Sequence, residues 1–232
     1  MKSMRELIQI RENFRNRWTL FAYWGMRVLV GVAALGFAWE RDWASVFATL
    51  LIAALMFVPP LLKEYYKVYL PFALEFGIVA FIFLTLFLGW IEQFYDRIPL
   101  WDAFLHFQSG LLLGATGYVL VYILNEQHTR KLSLSPGFVT FFATTFSITV
   151  GVLWEIFEFV ADTISTTTYW QGNDLGDTMY DLIANAVGTL IVGIVGYIWM
   201  RHRQRLPFTP RLLRIFSARV KSAILKDHSQ DA

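Results

Sequence analysis

Apolar residues along the chain group into six long segments that short polar stretches separate. The segments lie at 19–39, 43–62, 70–94, 100–125, 136–163 and 177–200. Each one approaches the roughly 20 apolar residues that a helix needs to cross a bilayer. Pro59 and Pro60 fall near the end of the second segment, where prolines break or kink a helix. The pattern predicts an all-α, polytopic membrane protein built as a bundle of six transmembrane helices.

Both ends of the chain are polar and basic, yet each keeps apolar residues at helical spacing. These residues are Leu7, Ile10, Phe14 and Trp18 at the start, and Leu212, Phe216, Val220 and Ile224 at the end. Helices with one apolar and one basic face lie on the membrane surface. We therefore expect an amphipathic arm over 1–18, a six-helix transmembrane domain over 19–200, and a basic tail over 201–232 with a second interfacial amphipathic helix.

Composition agrees with a membrane protein and removes several kinds of chemistry. Of the 232 residues, 56% are hydrophobic and 16% are charged, whereas soluble domains are about 25% charged. The chain has no cysteine, so disulfide frameworks, thiolate metal sites and cysteine nucleophiles are excluded. We expect membrane lipids as partners and no nucleic acid.

The lysines and arginines indicate how the chain is oriented. Of the 20, 17 fall in the arm, the second and fourth connections, and the tail, while only Arg41 and Arg97 lie in the other connections. Cytoplasmic segments are enriched in these residues, so both termini are expected in the cytoplasm. Arg27 is the one basic residue inside a span, and we expect its side chain to extend toward the interface. Glu75, early in the third span, is interpreted as a helix-end or packing residue.

Carboxylates gather in the outward halves of the last two predicted spans. On the fifth span, residues at i, i+3 and i+7 share one face; they are Glu155, Glu158 and Asp162. On the sixth span, residues at i, i+4 and i+8 share a face in the same way; they are Asp177, Asp181 and Asn185. Only 13 residues separate the two spans, so we expect antiparallel neighbours with these two faces at equal depth.

The fourth span adds Asp102 and His106, an i, i+4 pair at a similar depth. Carboxylate oxygens, an imidazole and an amide, without sulfur, are typical ligands of a hard or borderline divalent ion. A cation also relieves the cost of carboxylates placed together at membrane depth. The sequence therefore predicts a bound divalent metal ion, Zn, Mn or Mg/Ca. Its predicted ligands are Asp102, His106, Glu158, Asp177, Asp181 and Asn185.

Glu155 and Asp162 remain as carboxylates for general acid or base work, and we predict catalytic roles for them. With a metal-activated water, the site suits a hydrolase or transferase that acts on a lipid or lipid-linked envelope substrate. Two alternatives stay open: a cation or proton transporter that uses the same acids, and a non-catalytic metal-binding envelope protein. A transporter needs polar groups that continue across the membrane. From Glu155 toward the cytoplasm, serine and threonine are the only polar groups that the fifth span offers. This favours a site that opens to one side of the membrane.

Four short patterns together resemble an uncharacterised bacterial inner-membrane family, the YjdF-type proteins, over roughly residues 40–200. They are Asp102-x3-His106, Trp154-Glu155-x2-Glu158, Gln171-Gly172 and Asp177-x3-Asp181-x3-Asn185-x2-Gly188. The last pattern alone is also similar to the VanZ-like proteins, which are linked to glycopeptide-antibiotic tolerance. The resemblance implies a multi-pass protein of the bacterial inner membrane and supplies no activity.

Overall fold

A computed structural model describes residues 4–65, 72–126, 133–164 and 175–203. Within these ranges the chain is helical and contains no strand. The α-helices are α1 (Met4–Glu40), α2 (Trp43–Met56), α3 (Val58–Tyr65), α4 (Phe72–Ile82), α5 (Phe94–Arg97), α6 (Trp101–Glu126), α7 (Pro136–Ile164) and α8 (Leu175–Arg203). A π-helical stretch, Phe83–Ile91, continues α4.

Five helices in the described ranges are long and apolar enough to cross a bilayer, which supports a helical, multi-pass membrane protein. They cover Arg17–Glu40, Phe72–Ile91, Trp101–Val121, Pro136–Ile164 and Leu175–His202. Exposed aromatic residues mark the ends of some of them. Trp18 and Trp39 on α1 are about 32 Å apart along the helix, and Tyr180 and Trp199 on α8 are about 28 Å apart. These spacings match the hydrocarbon thickness of a bilayer, where aromatic residues form belts at both interfaces.

The second predicted span differs from its prediction. Helix α2 has only 14 residues, about 21 Å of helix, against a hydrocarbon thickness of about 30 Å. It stops before Phe57, because Pro59 and Pro60 cannot donate the backbone hydrogen bonds that would continue it. The count of six spans is therefore not confirmed.

The two terminal predictions fall partly outside the described structure. Helix α1 runs without interruption from the arm into the first span, so the predicted boundary at residue 18 is not a helix end. The side chains of 1–16 and the tail beyond Arg203 lie outside the described residues. The amphipathic character of both ends stays a prediction.

The turn from α1 to α2 is closed by two caps. Arg41 has a left-handed backbone (φ 61), and the amides of Arg41 and Asp42 donate to the carbonyls of Ala38 and Phe37. This is the Schellman arrangement that ends many helices. Asp42 then caps α2, because the hydroxyl and the amide of Ser45 both donate to its carboxylate. These hydrogen bonds lower the pKa of Asp42 below its usual value.

The described residues form two compact units. The first comprises 1–68 and 75–101, and at its centre Arg27 is buried. Its guanidinium donates to the carbonyls of Tyr23 and Met56 and lies 3.9 Å from the centre of the Tyr23 ring. The prediction that Arg27 extends toward the interface is therefore wrong. Proline at position 60 has no N–H to offer the Met56 carbonyl, so an arginine from the neighbouring helix supplies the missing donor.

The polar contacts of this unit extend to α4. The Tyr23 hydroxyl donates to Glu75 Oε1 over 2.5 Å, and Glu75 lies in the first turn of α4. Glu75 is thus a helix-end residue that also joins two helices, in agreement with its interpretation from the sequence. Tyr23 thus contacts the guanidinium of Arg27 through its ring and the carboxyl group of Glu75 through its hydroxyl.

The second unit, 69–74 and 102–232, contains α6, α7 and α8. Glycines let these helices approach closely, as small residues do in membrane bundles. A Cβ at Gly110 would meet the backbone carbonyl of Asn185, and one at Gly188 would meet that of Phe107, both closer than 3.0 Å. Helices α6 and α8 are therefore in backbone contact beside the residues that the sequence singles out.

Candidate metal centre

His106 lies between two carboxylates, one on each side of its ring. Its Nε2 atom is 3.5 Å from Asp102 Oδ1, and its Nδ1 atom is 3.4 Å from Glu155 Oε1. His106 and Glu155 are buried, while the Asp102 side chain keeps 29% exposure. Because Asp102 stands one turn before His106 and Glu155 comes from α7, the imidazole bridges two helices.

Two groups of possible metal ligands share this imidazole. Asp102, His106 and Asp181 form one group, and His106, Glu155 and Glu158 form the other. Within each group, one ligand atom per residue lies within 4.8 Å of the others. We call these five residues the acidic–imidazole cluster. It joins the first two turns of α6 and α8 to the last third of α7.

Glu158 is connected to the outer surface of α7. The indole Nε1 of Trp154 donates to Glu158 Oε1 over 2.8 Å. Trp154 is exposed and Glu158 is buried, so one hydrogen bond joins a surface aromatic ring to the cluster. The i, i+4 spacing of the two residues is visible in the sequence, but which side of α7 faces its neighbours is not.

Asn185 lies one turn beyond Asp181 on α8 and is buried. Its amide nitrogen donates to Ser109 Oγ over 3.0 Å. Gly151 on α7 makes room for it, because a Cβ there would lie 2.7 Å from Asn185 Oδ1. The observed contacts of Asn185 thus tie three helices together beneath the cluster, and its predicted role as a metal ligand stays a prediction.

Asp177 and Asp162 stand farther out. Asp177 lies in the first turn of α8 and interacts electrostatically with Asp102, Glu155 and Asp181. Asp162 lies one turn beyond Glu158 on α7 and is partly exposed. Neither belongs to the two ligand groups, so a metal-binding role for Asp177 and a catalytic role for Asp162 stay predictions.

The cluster holds four acidic groups and no lysine or arginine. Helices α6 and α7 contain no lysine or arginine, and those of α8, Arg201 and Arg203, are at its far end. Carboxylates this close cannot all remain ionised without a cation or protons. The chemistry of the donors, four carboxylates and one imidazole, fits a divalent ion.

A layer of uncharged polar groups lies beneath Asn185. Ser147 Oγ is 2.6 Å from Thr189 Oγ1 and 3.2 Å from the carbonyl oxygen of Gly110. Farther along the same helices a core of apolar and aromatic side chains follows; it consists of Tyr118, Val121, Val139, Ala143 and Met200. In the described part of this unit, acidic residues and His106 thus gather at one end of the helices, while Glu126, Arg201 and Arg203 stand at the opposite ends of α6 and α8.

Sequence reasoning missed three contributors to this site. Ser109 and Gly151 position Asn185, and Trp154 holds Glu158. Glu155 also belongs to a ligand group with His106, and its predicted catalytic role stays a prediction. The contacts of these four residues depend on how each helix is rotated about its axis. Spacing along a single helix does not determine that rotation.

Comparisons with known proteins give a family and no activity. Residues 22–202 match the family described as "Predicted membrane protein (DUF2238)". An uncharacterized protein of Thermotoga maritima is 34% identical over 116 residues, which cover 50% of this chain and 57% of that protein. The chain thus spans little more than half the length of this relative. No solved structure matches.

These findings agree with the resemblance to the YjdF-type proteins, and they do not show the similarity to the VanZ-like proteins. The family match covers more than three quarters of the chain and all the residues of the acidic–imidazole cluster. The chain therefore belongs to the DUF2238 family of membrane proteins.

Proposed function

We propose that the acidic–imidazole cluster binds a divalent metal ion, and that the protein is a metal-dependent hydrolase or transferase of the membrane. The observation that carries this proposal is the imidazole of His106, which has a carboxylate within 3.5 Å of each ring nitrogen. Helical bundles bind metal ions with carboxylates and a histidine projecting from facing helices in this way. Zn, Mn and Mg/Ca remain the candidate ions, since the ligands are oxygen and imidazole nitrogen.

A bound ion would polarise an ester or phosphoryl oxygen and lower the pKa of a water molecule. The acidic side chains of the cluster would supply the general base that such a reaction needs in addition to the ion. Carboxylates in excess of the ligands are available as general bases. Asp102 is partly exposed, so the cluster is open toward the end of the helices.

The depth of the site supports a lipid or lipid-linked substrate. Asp181 follows the exposed Tyr180, which stands at one end of the apolar part of α8. Trp154, exposed on α7, is bonded to Glu158 of the cluster. Aromatic residues of this kind are enriched in the headgroup region of a bilayer, which supports a site within reach of a lipid head group.

The excess of lysine and arginine in the arm, the tail and two connections favours a cytoplasmic position for these segments. The proposal is therefore that both termini are cytoplasmic and that the cluster faces the outer side of a bacterial inner membrane. This orientation makes an envelope lipid the natural substrate. Toward the other end of the unit, α7 has no charged residue before Glu155, and α8 has none between Asp181 and Arg201, so the transport alternative has less support.

Metal analysis of the purified protein tests the proposal. The full chain, in detergent or nanodiscs, is incubated with Zn²⁺ or Mn²⁺, freed of unbound ion, and its metal content is measured. We expect ion bound in near-integer ratio to the chain, and loss of that ion in His106→Ala and Asp181→Asn. Glu40→Gln is the matched control, because Glu40 is an exposed carboxylate at the end of α1.

An unchanged metal content in both cluster variants would contradict the proposal, as would a wild-type protein that retains no ion. If the ion binds as expected and hydrolysis of lipid-linked substrates is not found, the non-catalytic alternative replaces the enzyme. Flux of a cation through proteoliposomes, abolished by Glu158→Gln, would instead establish the transporter.

A further inference from the structure

The two ring nitrogens of His106 face different partners, which defines two places for an ion. Nε2 faces Asp102, and Nδ1 faces Glu155. A neutral imidazole binds a metal through one nitrogen and donates the proton on its other nitrogen. Metal-bound histidines usually donate that proton to a carboxylate or a carbonyl, which fixes the ring. The ion therefore lies on one side of His106, and a carboxylate on the other side positions the ring.

Glu158 and Asp181, one on each side of His106, differ in whether they already accept a hydrogen bond. On the Glu155 side, Glu158 accepts a hydrogen bond from Trp154. On the other side, Asp181 is only 3% exposed, and within the described part of the chain no hydrogen-bond donor reaches its carboxylate. A buried carboxylate without a donor is costly unless a cation or a proton compensates it. Asp181 thus gains more from an ion than Glu158 does, because Trp154 already donates to Glu158.

Solvent access also favours an ion on the Nε2 side of His106. The Asp102 side chain is 29% exposed, whereas that of Glu155 is 5% exposed. Catalytic metal sites keep a position open for water or substrate. An ion next to Asp102 can offer such a position, while one between the buried Glu155 and Glu158 lies deeper in the unit.

From these contacts we infer that the ion is held by Asp102, Asp181 and Nε2 of His106, and that Glu155 is a positioning residue. Its carboxylate accepts the Nδ1 proton and keeps Nε2 directed at the ion. Glu158, held by Trp154, stands behind Glu155 and does not touch the ion. This inference rests on the proposed metal site and changes the role of Glu155 from the catalytic one expected from the sequence.

Zinc titration of four variants tests the assignment, with the full chain in nanodiscs. Asp102→Asn and Asp181→Asn should each abolish stoichiometric binding. Glu155→Met should keep one ion per chain but weaken its affinity by about 10- to 100-fold, as expected when a histidine loses the partner of its second nitrogen. Glu155→Gln, whose amide oxygen still accepts a hydrogen bond, should restore part of this loss.

Glu158→Met is the matched control, because it removes an equal charge from the same helix one turn away. We expect it to weaken zinc binding less than Glu155→Met does. A second measurement does not depend on affinity: ¹⁵N NMR of His106 in the zinc-bound protein should show a protonated Nδ1 and a metal-bound Nε2. The NMR experiment keeps the inference testable if a variant does not fold.

Three results would overturn the inference. Binding that survives Asp102→Asn and Asp181→Asn but is lost in Glu155→Met and Glu158→Met would put the ion on the Nδ1 side and leave the metal site intact. Two ions per chain would show that both sides are occupied. A wild-type chain that binds no zinc and no manganese would end the proposed function together with this inference.

Discussion

Replacement of Gly188 by alanine tests whether the contact between α6 and α8 builds the site. In an exposed helix the change from glycine to alanine is favourable by about 1 kcal/mol. At position 188, however, the added Cβ would lie closer than 3.0 Å to the Phe107 carbonyl oxygen and 3.1 Å from the Leu111 amide nitrogen. Both are backbone atoms, so the two helices themselves must move apart.

The size of that movement follows from ordinary contact distances. A carbon and a carbonyl oxygen come no closer than about 3.3 Å, so α6 and α8 must separate by about 1 Å at this contact. Overpacking of this kind costs about 1–3 kcal/mol, which offsets the propensity gain and leaves a net loss of up to about 2 kcal/mol. Metal ligands tolerate about 0.2 Å, so the site should suffer more than the fold does.

The assay compares Gly188→Ala with Gly31→Ala, whose Cβ would meet nothing within 4 Å. Thermal unfolding in detergent and zinc affinity are measured for both variants. We expect Gly31→Ala to be as stable as the wild type or more stable, with unchanged zinc binding. Gly188→Ala should unfold at a lower temperature and lose at least tenfold in affinity. If it matches Gly31→Ala in both measurements, the close α6–α8 contact is wrong.

Two further predictions concern Arg27 and the orientation. Arg27→Lys keeps the buried charge but has one nitrogen in place of the two that donate to the Tyr23 and Met56 carbonyls, so it should destabilise the protein by about 1–3 kcal/mol; the loss should shrink in a Pro60→Ala background, where residue 60 regains an N–H, and an undiminished loss would refute this role. Because the chain has no cysteine, single cysteines can report topology. An impermeant thiol reagent added outside intact cells should label Thr167→Cys and not Ser133→Cys, and the reverse result would place the cluster on the cytoplasmic side.

Most of the helices could be predicted from the sequence because the bilayer imposes a simple length requirement. Four of the six predicted segments end within a few residues of an observed spanning helix, and a fifth corresponds to α4 and its π-helical continuation. The exception is α2, where the prolines shorten the helix below the thickness of the membrane. Those prolines are visible in the sequence, but the compensating donor from Arg27 is not, since it comes from a different helix.

For the candidate site, helical spacing predicts which residues share a face and which depths match. These two pieces of information are enough to place His106, Asp102 and Asp181 in one group. They do not determine that Glu155, rather than Glu158, faces the ring of His106, because one turn of α7 separates the two and both point to the same side. The Trp154–Glu158 and Asn185–Ser109 hydrogen bonds depend on helix rotation in the same way.

Anomalous scattering from crystals of the full chain grown with Zn²⁺ would show whether the acidic–imidazole cluster binds a metal ion. We expect one strong zinc peak next to Nε2 of His106, within coordination distance of Asp102 and Asp181 and absent from crystals of Asp181→Asn. No peak at the acidic–imidazole cluster under saturating zinc, or a peak only at other residues, would contradict the claim that these residues form a metal site.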